Sequence, residues 1–206
     1  MDSTSGALAK LLPLAEDLGV ALPSAALGAF QRYLERLLAW NAKINLTSVT
    51  APDEVVRKHF ADSLALVPWL GDARTLVDVG SGGGFPGAVV ALARPGVAIT
   101  LVEPSTKRAA FLRLLVRELP LPRVEVRAER IEATVAALGN RFDAAVSRAT
   151  WDLPEWLERG RALVHPGGSV FAMEGATQHE LPRDATRHVV ALQGVTRAIV
   201  ELRVLP

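Results

Sequence analysis

Residues 75–87 read Thr75-Leu76-Val77-Asp78-Val79-Gly80-Ser81-Gly82-Gly83-Gly84-Phe85-Pro86-Gly87, an apolar run that ends in five glycines within eight residues. Glycine loses more freedom on folding than any other residue and gains nothing from burial, so a cluster this dense needs a reason. The apolar run reads as a buried strand, and Pro86 suits the first turn of a following helix. The stretch is then a strand-to-helix turn whose backbone stays open to something that side chains would block. Working outward, further buried strands are expected at 98–103, 124–127, 143–147 and 168–173. Helices are expected between them at 86–93, 105–119, 131–138 and 153–163. Strands alternating with helices imply right-handed crossovers and a parallel sheet. The segments 188–192 and 196–205, around Gln193-Gly194-Val195, read as a terminal antiparallel hairpin.

Upstream the texture is helical. Leu27, Phe30, Leu34, Leu37 and Leu38 fall at spacings of three and four after the start signals Pro23 and Ser24. A second helix is expected from Pro52-Asp53-Glu54 to Val67, stopped by Pro68. The predicted fold class is α/β: a Rossmann-like, mostly parallel sheet with a C-terminal antiparallel hairpin (71–206), preceded by a small helical N-terminal extension (1–70).

The 206 residues are 50% hydrophobic and 22% charged, with 23 basic against 22 acidic side chains, a globular composition with a formal net charge of +1. The absence of cysteine excludes a disulfide scaffold and thiolate metal sites, and no metal site is read. The start, MDSTSGALAK, has no basic stretch of a secretory signal, and the apolar region 87–102 is cut by Arg94-Pro95-Gly96. A cytoplasmic protein with no membrane partner is expected.

In a doubly wound sheet the first strand-to-helix turn is where ligands bind. The second strand ends in Glu103, 23 residues after Gly80 and close to the spacing of about 20 at which an acid accepts ribose hydroxyls. The plain alternative is a tight turn beside a solvated acid. Gly82, Gly84 and Gly87 spell G-x-G-x-x-G, so a nicotinamide dinucleotide enters consideration. The register opposes it: the first glycine after the strand is Gly80, and the pattern from there is Asp78-x-Gly80-x-Gly82-x-Gly84. A pyrophosphate wants helix N-terminal amides. A cationic sulfonium with an amino-acid tail wants a nearby carboxylate, which Asp78 is placed to supply. The pattern points to S-adenosylmethionine.

Other stretches carry a resemblance. Trp40-Asn41-Ala42-Lys43-Ile44-Asn45-Leu46-Thr47, Lys58-His59-Phe60-Ala61-Asp62-Ser63, the glycine loop, Lys107-Arg108 with Phe111-Leu112, Arg127-Ala128-Glu129 and Ser147-Arg148-Ala149 resemble the bacterial small-subunit ribosomal RNA guanine-N7 methyltransferases, the GidB or RsmG family. The likeness covers most of the chain. It implies a seven-stranded methyltransferase sheet, S-adenosylmethionine as cofactor, and a guanine N7 in 16S ribosomal RNA, naked or in the 30S subunit, as acceptor. Cofactor contacts implied by the family fall on Gly80, Phe85, Ala128, Glu129 and Arg148. One departure is Glu174-Gly175, where the family usually shows Lys-Gly; Arg197 matches.

Guanine N7 offers a lone pair and has no hydrogen to lose, so no general base is required and no catalytic residue is assigned. His59 and Asp62 stand three apart on a predicted helix, for which an orienting or RNA-facing role is expected of His59. Arg148 ends a strand on the ligand edge, where a guanidinium can stack on a base or fork to a carboxylate. Between residues 105 and 130 seven basic side chains face three acidic ones. With Arg57 and Lys58 they form a candidate rim for RNA phosphate. The expected RNA-side set is Arg57, Lys58, His59, Lys107, Arg108, Arg148 and Arg197. A monomer is expected. Rival readings are a methyltransferase of the same fold with a small-molecule or protein acceptor, and a silent RNA-binding relative.

Overall fold

The structure, a computed structural model, describes residues 3–148, 150–174, 179–192 and 194–205. Of the residues singled out above, Ala149, Gly175 and Gln193 lie outside that set. Seven strands form one sheet in the order β3-β2-β1-β4-β5-β7-β6. β1 (Thr75–Val79), β2 (Ala98–Val102), β3 (Val124–Arg127), β4 (Phe142–Arg148) and β5 (Val164–Glu174) run parallel. β7 (Val195–Arg203) pairs antiparallel with both β5 and β6 (Ala185–Leu192), which is the expected hairpin. The central strands are apolar almost throughout because helices cover both faces of the sheet. These helices are α6 (Gly87–Ala93), α7 (Thr106–Glu118), α8 (Ile131–Leu138) and α9 (Leu153–Arg161). Among the described residues no helix is long and apolar enough to cross a membrane.

The lead-in comprises α1 (Ser3–Leu8), α2 (Leu11–Asp17) and α3 (Ala26–Asn41), then a helix of mixed pitch. α3 buries Phe30, Leu34 and Leu37 of the expected stripe together with Ala26, Ala29 and Tyr33, while Leu27 and Leu38 are half-buried at its edges. The expected single helix from Pro52 to Val67 differs in two ways. α4 (Pro52–Val55) passes into a π-helical turn (Val56–Ala61) before α5 (Asp62–Leu64). The α-helix also stops short of Val67, and Pro68 lies in a separate 3₁₀ turn, Val67–Leu70. Pro68 has no N–H to donate to the Leu64 carbonyl, so an α-helix cannot continue through it.

Strand limits also differ. β5 begins at Val164, four residues earlier than expected, because Val164 pairs with Phe142 before a register shift and the ladder resumes at Ser169 opposite Ala144. His165, Pro166, Gly167 and Gly168 occupy that irregularity, and their breaker signal hid the strand's first pairing.

Candidate functional site

A cleft of about 460 Å³ opens at the carboxyl ends of β1 and β4. There the strand order reverses, which is where open parallel sheets take ligands. Three parts of the chain line it: the loop (Gly80, Ser81, Gly82, Gly83, Phe85), the lead-in (Leu46, Thr47, His59, Asp62) and the far strands (Arg148, Met173, Glu174, Arg197).

The loop is a bare backbone surface clamped from both sides. Gly82 has φ +56°, and a Cβ there would meet only the Gly80 carbonyl oxygen at 3.8 Å, so it would stand in the cleft itself. Gly84 has φ +94°, and a Cβ there would collide with the Tyr33 hydroxyl. Tyr33, fully buried on α3, donates to the Gly83 carbonyl at 2.6 Å. Burial pushes its phenol pKa well up, so it remains a donor. From the other side Glu103 accepts from Gly82 N and Ser105 N, each at 2.9 Å. Glu103 is thus at the β2 tip where the sequence put it, tied to the loop, and each carboxylate oxygen keeps a second lone pair. Beyond Gly80 lies a further cavity of about 200 Å³ lined by Val79, Val102, Pro104, Ile131, Thr150 and Trp151. Arg130, Glu132 and Arg159 complete the lining of this second cavity, so two cavities of mixed polar and apolar lining flank one bare loop.

One expected contact is corrected. Asp78 does not face the cleft; it is fully buried beneath the loop, and its Oδ2 accepts from Gly87 N at 2.9 Å at the start of α6. Its Oδ1 has no hydrogen-bond partner. Burial pushes its pKa up to about 7, against the Gly87 hydrogen bond and the Arg148 charge. The start of α6 claims this carboxylate because its first amides lack intrahelical acceptors.

The Trp40-to-Thr47 stretch has a plain physical task. Trp40 packs on Phe111 with ring centroids 5.6 Å apart, and Asn41 Oδ1 accepts from Leu46 N at 2.8 Å and Thr47 N at 2.9 Å. The turn so made carries Leu46 and Thr47 to the cleft lip. Thr47 Oγ1 lies 2.7 Å from His59 Nε2, while His59 Nδ1 is 3.0 Å from the Lys58 carbonyl. The imidazole stacks on Phe85 at 4.6 Å between centroids. Burial, then the neighbouring Arg148 charge, lowers its pKa to about 4. His59 is therefore a neutral, oriented ring.

Arg148 lies with its guanidinium carbon 5.1 Å from the Phe85 ring centroid and donates to the Lys58 carbonyl at 3.3 Å. Asp62 meets Arg148 at 3.5 Å through one oxygen and Arg197 at 2.7 Å through the other. Nothing in the sequence marked Tyr33, which looks like any core tyrosine. Asp62 stood beside His59 in the pattern, but its two arginine partners are 86 and 135 residues away.

The remaining expected residues divide. Ala128 and Glu129 follow β3 and, like Gly84 and the buried Glu103, line neither cavity; Arg127 donates to Glu129 at 2.6 Å and holds that carboxyl below its usual range. Lys58 does not line the cleft; its ammonium pairs at 2.5 Å with Glu54, which lines a separate groove. Arg57, one residue earlier on the helix, does not line the cleft but a separate groove with Lys10, Leu14 and Asp53. Lys107 and Arg108 sit exposed on the first turn of α7, and Arg108 donates to the Asn45 carbonyl at 3.3 Å. Arg127 and Arg117 meet acidic partners, so the basic rim is smaller than the sequence count. Glu174 is buried at the cleft edge, where it accepts from Arg187 Nε at 2.8 Å and His179 N at 3.0 Å. Glu174 thus departs from the usual lysine, and its carboxylate is paired with Arg187 of β6. Trp156 is buried and donates to the Phe171 carbonyl at 2.7 Å, while Trp151 stacks on it at 5.5 Å.

Comparison with known proteins agrees with this geometry. The family model described as GidB, rRNA small subunit methyltransferase G, matches residues 26–204. The ribosomal RNA small subunit methyltransferase G of Anaeromyxobacter sp. strain Fw109-5 is 45% identical over 166 residues, covering 78% of this chain and 76% of that protein. The same-named protein of Anaeromyxobacter dehalogenans strain 2CP-1 is 42% identical over 192 residues, covering 93% and 87%. Among solved structures, the O-methyltransferase TomG from Streptomyces achromogenes, in complex with S-adenosylmethionine, superposes with a TM-score of 0.59 at 17% identity over 90% of this chain and 92% of that one, a likeness of fold. The chain belongs to the GidB family, rRNA small subunit methyltransferase G.

Proposed function

We propose that the protein transfers a methyl group from S-adenosylmethionine to N7 of a guanine in 16S ribosomal RNA. Family membership makes it an S-adenosylmethionine-dependent methyltransferase of small-subunit rRNA; the N7 position and the residue roles are our reading. The observation that carries it is one cleft in which a bare glycine backbone faces Thr47, His59, Asp62 and Arg197, with no free general base among them. Gly80, Gly82, Gly84, Phe85 and Glu103 would hold the cofactor, with Arg148 at its edge. When bound, it supplies an electrophilic methyl carbon on a sulfonium.

The chain's own task is then alignment. N7 attacks with its lone pair, and a positioned pair of reactants gains most from fixed geometry. Neutral His59 adds no positive charge where the purine becomes cationic. Phe85 and the Arg148 plane form a flat wall suited to a base. Lys58, Lys107, Arg108 and Arg197 would meet RNA phosphate. The extension 1–70 and the unit 71–206 are read as working together, as a monomer in the cytoplasm on the small subunit.

Labelled S-adenosylmethionine incubated with 30S particles, naked 16S rRNA and a small-molecule extract tests this. Label in rRNA that yields strand scission after borohydride and aniline marks N7 methylation. Label confined to the small-molecule fraction, or rRNA label resistant to scission, overturns it. Glu103→Gln keeps one acceptor oxygen and should weaken cofactor binding about tenfold, the equivalent of about 1.4 kcal/mol, by calorimetry; unchanged affinity removes Glu103 from the site.

A further inference from the structure

Three distant elements meet on one carboxylate at the acceptor side of the cleft. Asp62, delivered just after the π-helical turn, has 12% of its side chain exposed. Its Oδ1 accepts from Nε of Arg197, on β7, at 2.7 Å, and its Oδ2 lies 3.5 Å from Nη1 of Arg148, at the end of β4. Both guanidiniums are themselves largely enclosed, with 18% and 23% of their side chains exposed for Arg148 and Arg197. Arg148 is fixed further by the Lys58 carbonyl and by the Phe85 ring beneath it. Arg197 is fixed differently: among the described residues Asp62 is its one hydrogen-bond partner, through Nε, and Arg197 itself lines the cleft. Two cations this close repel unless an anion stands between them, and a carboxylate with both oxygens engaged sets their separation and their planes.

We propose that Asp62 is a positioning residue for the acceptor: it divides its two oxygens between Arg148 and Arg197 and so sets one guanidinium as a flat wall over Phe85 and the other as the donor that grips the RNA. The π turn supports this, because an extra residue in a helical turn rotates the helix beyond it relative to the part before it, and His59 and Asp62 both reach the cleft. Ser63 Oγ donates to the His59 carbonyl at 2.6 Å and fixes that turn. The inference rests on the rRNA reading above.

The test uses the full chain with S-adenosylmethionine and 30S particles, comparing Asp62→Asn, Arg197→Gln and the double variant. Asp62→Asn offers an amino group to one guanidinium, so kcat/KM for the RNA should fall by about 10- to 100-fold. Cofactor affinity by calorimetry should stay within about twofold, since Asp62 has no bond to the glycine loop. The double variant should lose less than the product of the two single losses, because the share of the Asp62 effect that passes through Arg197 is already gone in Arg197→Gln while the share through Arg148 remains. A readout independent of turnover is the Nε–H resonance of Arg197, identified by its loss in Arg197→Gln, which should shift in Asp62→Asn. Should Asp62→Asn not fold, Asp62→Glu carries the test: a carboxylate one methylene longer should displace both guanidiniums and lower kcat/KM for the RNA while cofactor affinity stays within about twofold. Wild-type kinetics in Asp62→Asn, a cofactor loss as large as the RNA loss, or multiplicative losses in the double variant each overturn the proposal. A wild-type enzyme that leaves rRNA unlabelled overturns the rRNA reading and this inference together; a labelled wild type with an unaffected Asp62→Asn overturns this inference alone.

Discussion

His59 and Asp78 are both buried against their charged forms, and their pH dependences have opposite signs. The unfolded chain protonates His59 near 6.5, the folded chain only at about 4. Between those values the unfolded state binds more protons, so this contribution to stability is whole above 6.5 and is lost as pH falls toward about 4. A shift of this size corresponds to on the order of 3 kcal/mol. Asp78 protonates near 3.8 unfolded and at about 7 folded, so its contribution is whole below 3.8 and is lost as pH rises through about 7. Across the interval they share, the two slopes offset each other. His59→Gln, which does not titrate, removes one of them. Subtracting its denaturant-derived stability from that of the wild type at each pH should give a difference that declines steadily from 6.5 to about 4. A flat difference means that His59 takes up a proton inside the folded cleft. Under the proposed transfer to N7, a neutral ring at this position adds no charge beside a purine that becomes cationic.

The central elements were legible because their physics is local. β1, β2 and β4 are apolar runs buried on both faces, and a glycine cluster after the first of them marks a ligand-facing turn whatever the ligand. Glu103 was legible for the same reason, since its place at a strand tip depends only on where β2 ends. The π turn was not legible: apolar periodicity over so few residues does not distinguish one extra residue per turn. Nor were the partners of Asp62 and Tyr33, which arrive from elements far along the chain. Packing between elements is likewise tertiary, and the seam between α9 and β5 shows its sensitivity. A Cβ on Gly160 would collide with Val170 Cγ1 and lie 3.3 Å from Cγ2. Gly160→Ala overpacks this seam and should cost about 1–3 kcal/mol despite the better helix propensity of alanine. Val170→Ala removes the obstructing methyls, so in the double variant the costs should sum to less than those of the single variants, read from urea midpoints. Simple additivity would mean that α9 shifts freely along the sheet.

At the scale of the molecule, the helical lead-in and the sheet are held by one body of apolar side chains. A single cluster contains Leu11, Phe30, Leu37 and Phe60 from the lead-in together with Phe85, Val89, Leu101, Phe111 and Phe171 from the sheet and its helices. Phe60 sits at its centre, with ring centroids 5.1 Å from Phe30, 5.1 Å from Tyr33 and 6.1 Å from Phe85, and no exposed surface. A segment as short as the lead-in buries too little surface to be stable without the sheet it covers. The glycine loop in turn depends on it, since Tyr33 holds the Gly83 carbonyl. Unfolding should therefore be one cooperative transition in which far-UV circular dichroism, dominated by helices, and tryptophan fluorescence change together. Phe60→Ala should lower that single transition by about 3–5 kcal/mol without splitting it. If helical signal were instead lost first, leaving a folded sheet with native fluorescence, the lead-in would be a separable cap, and the cofactor loop would have to be ordered without Tyr33.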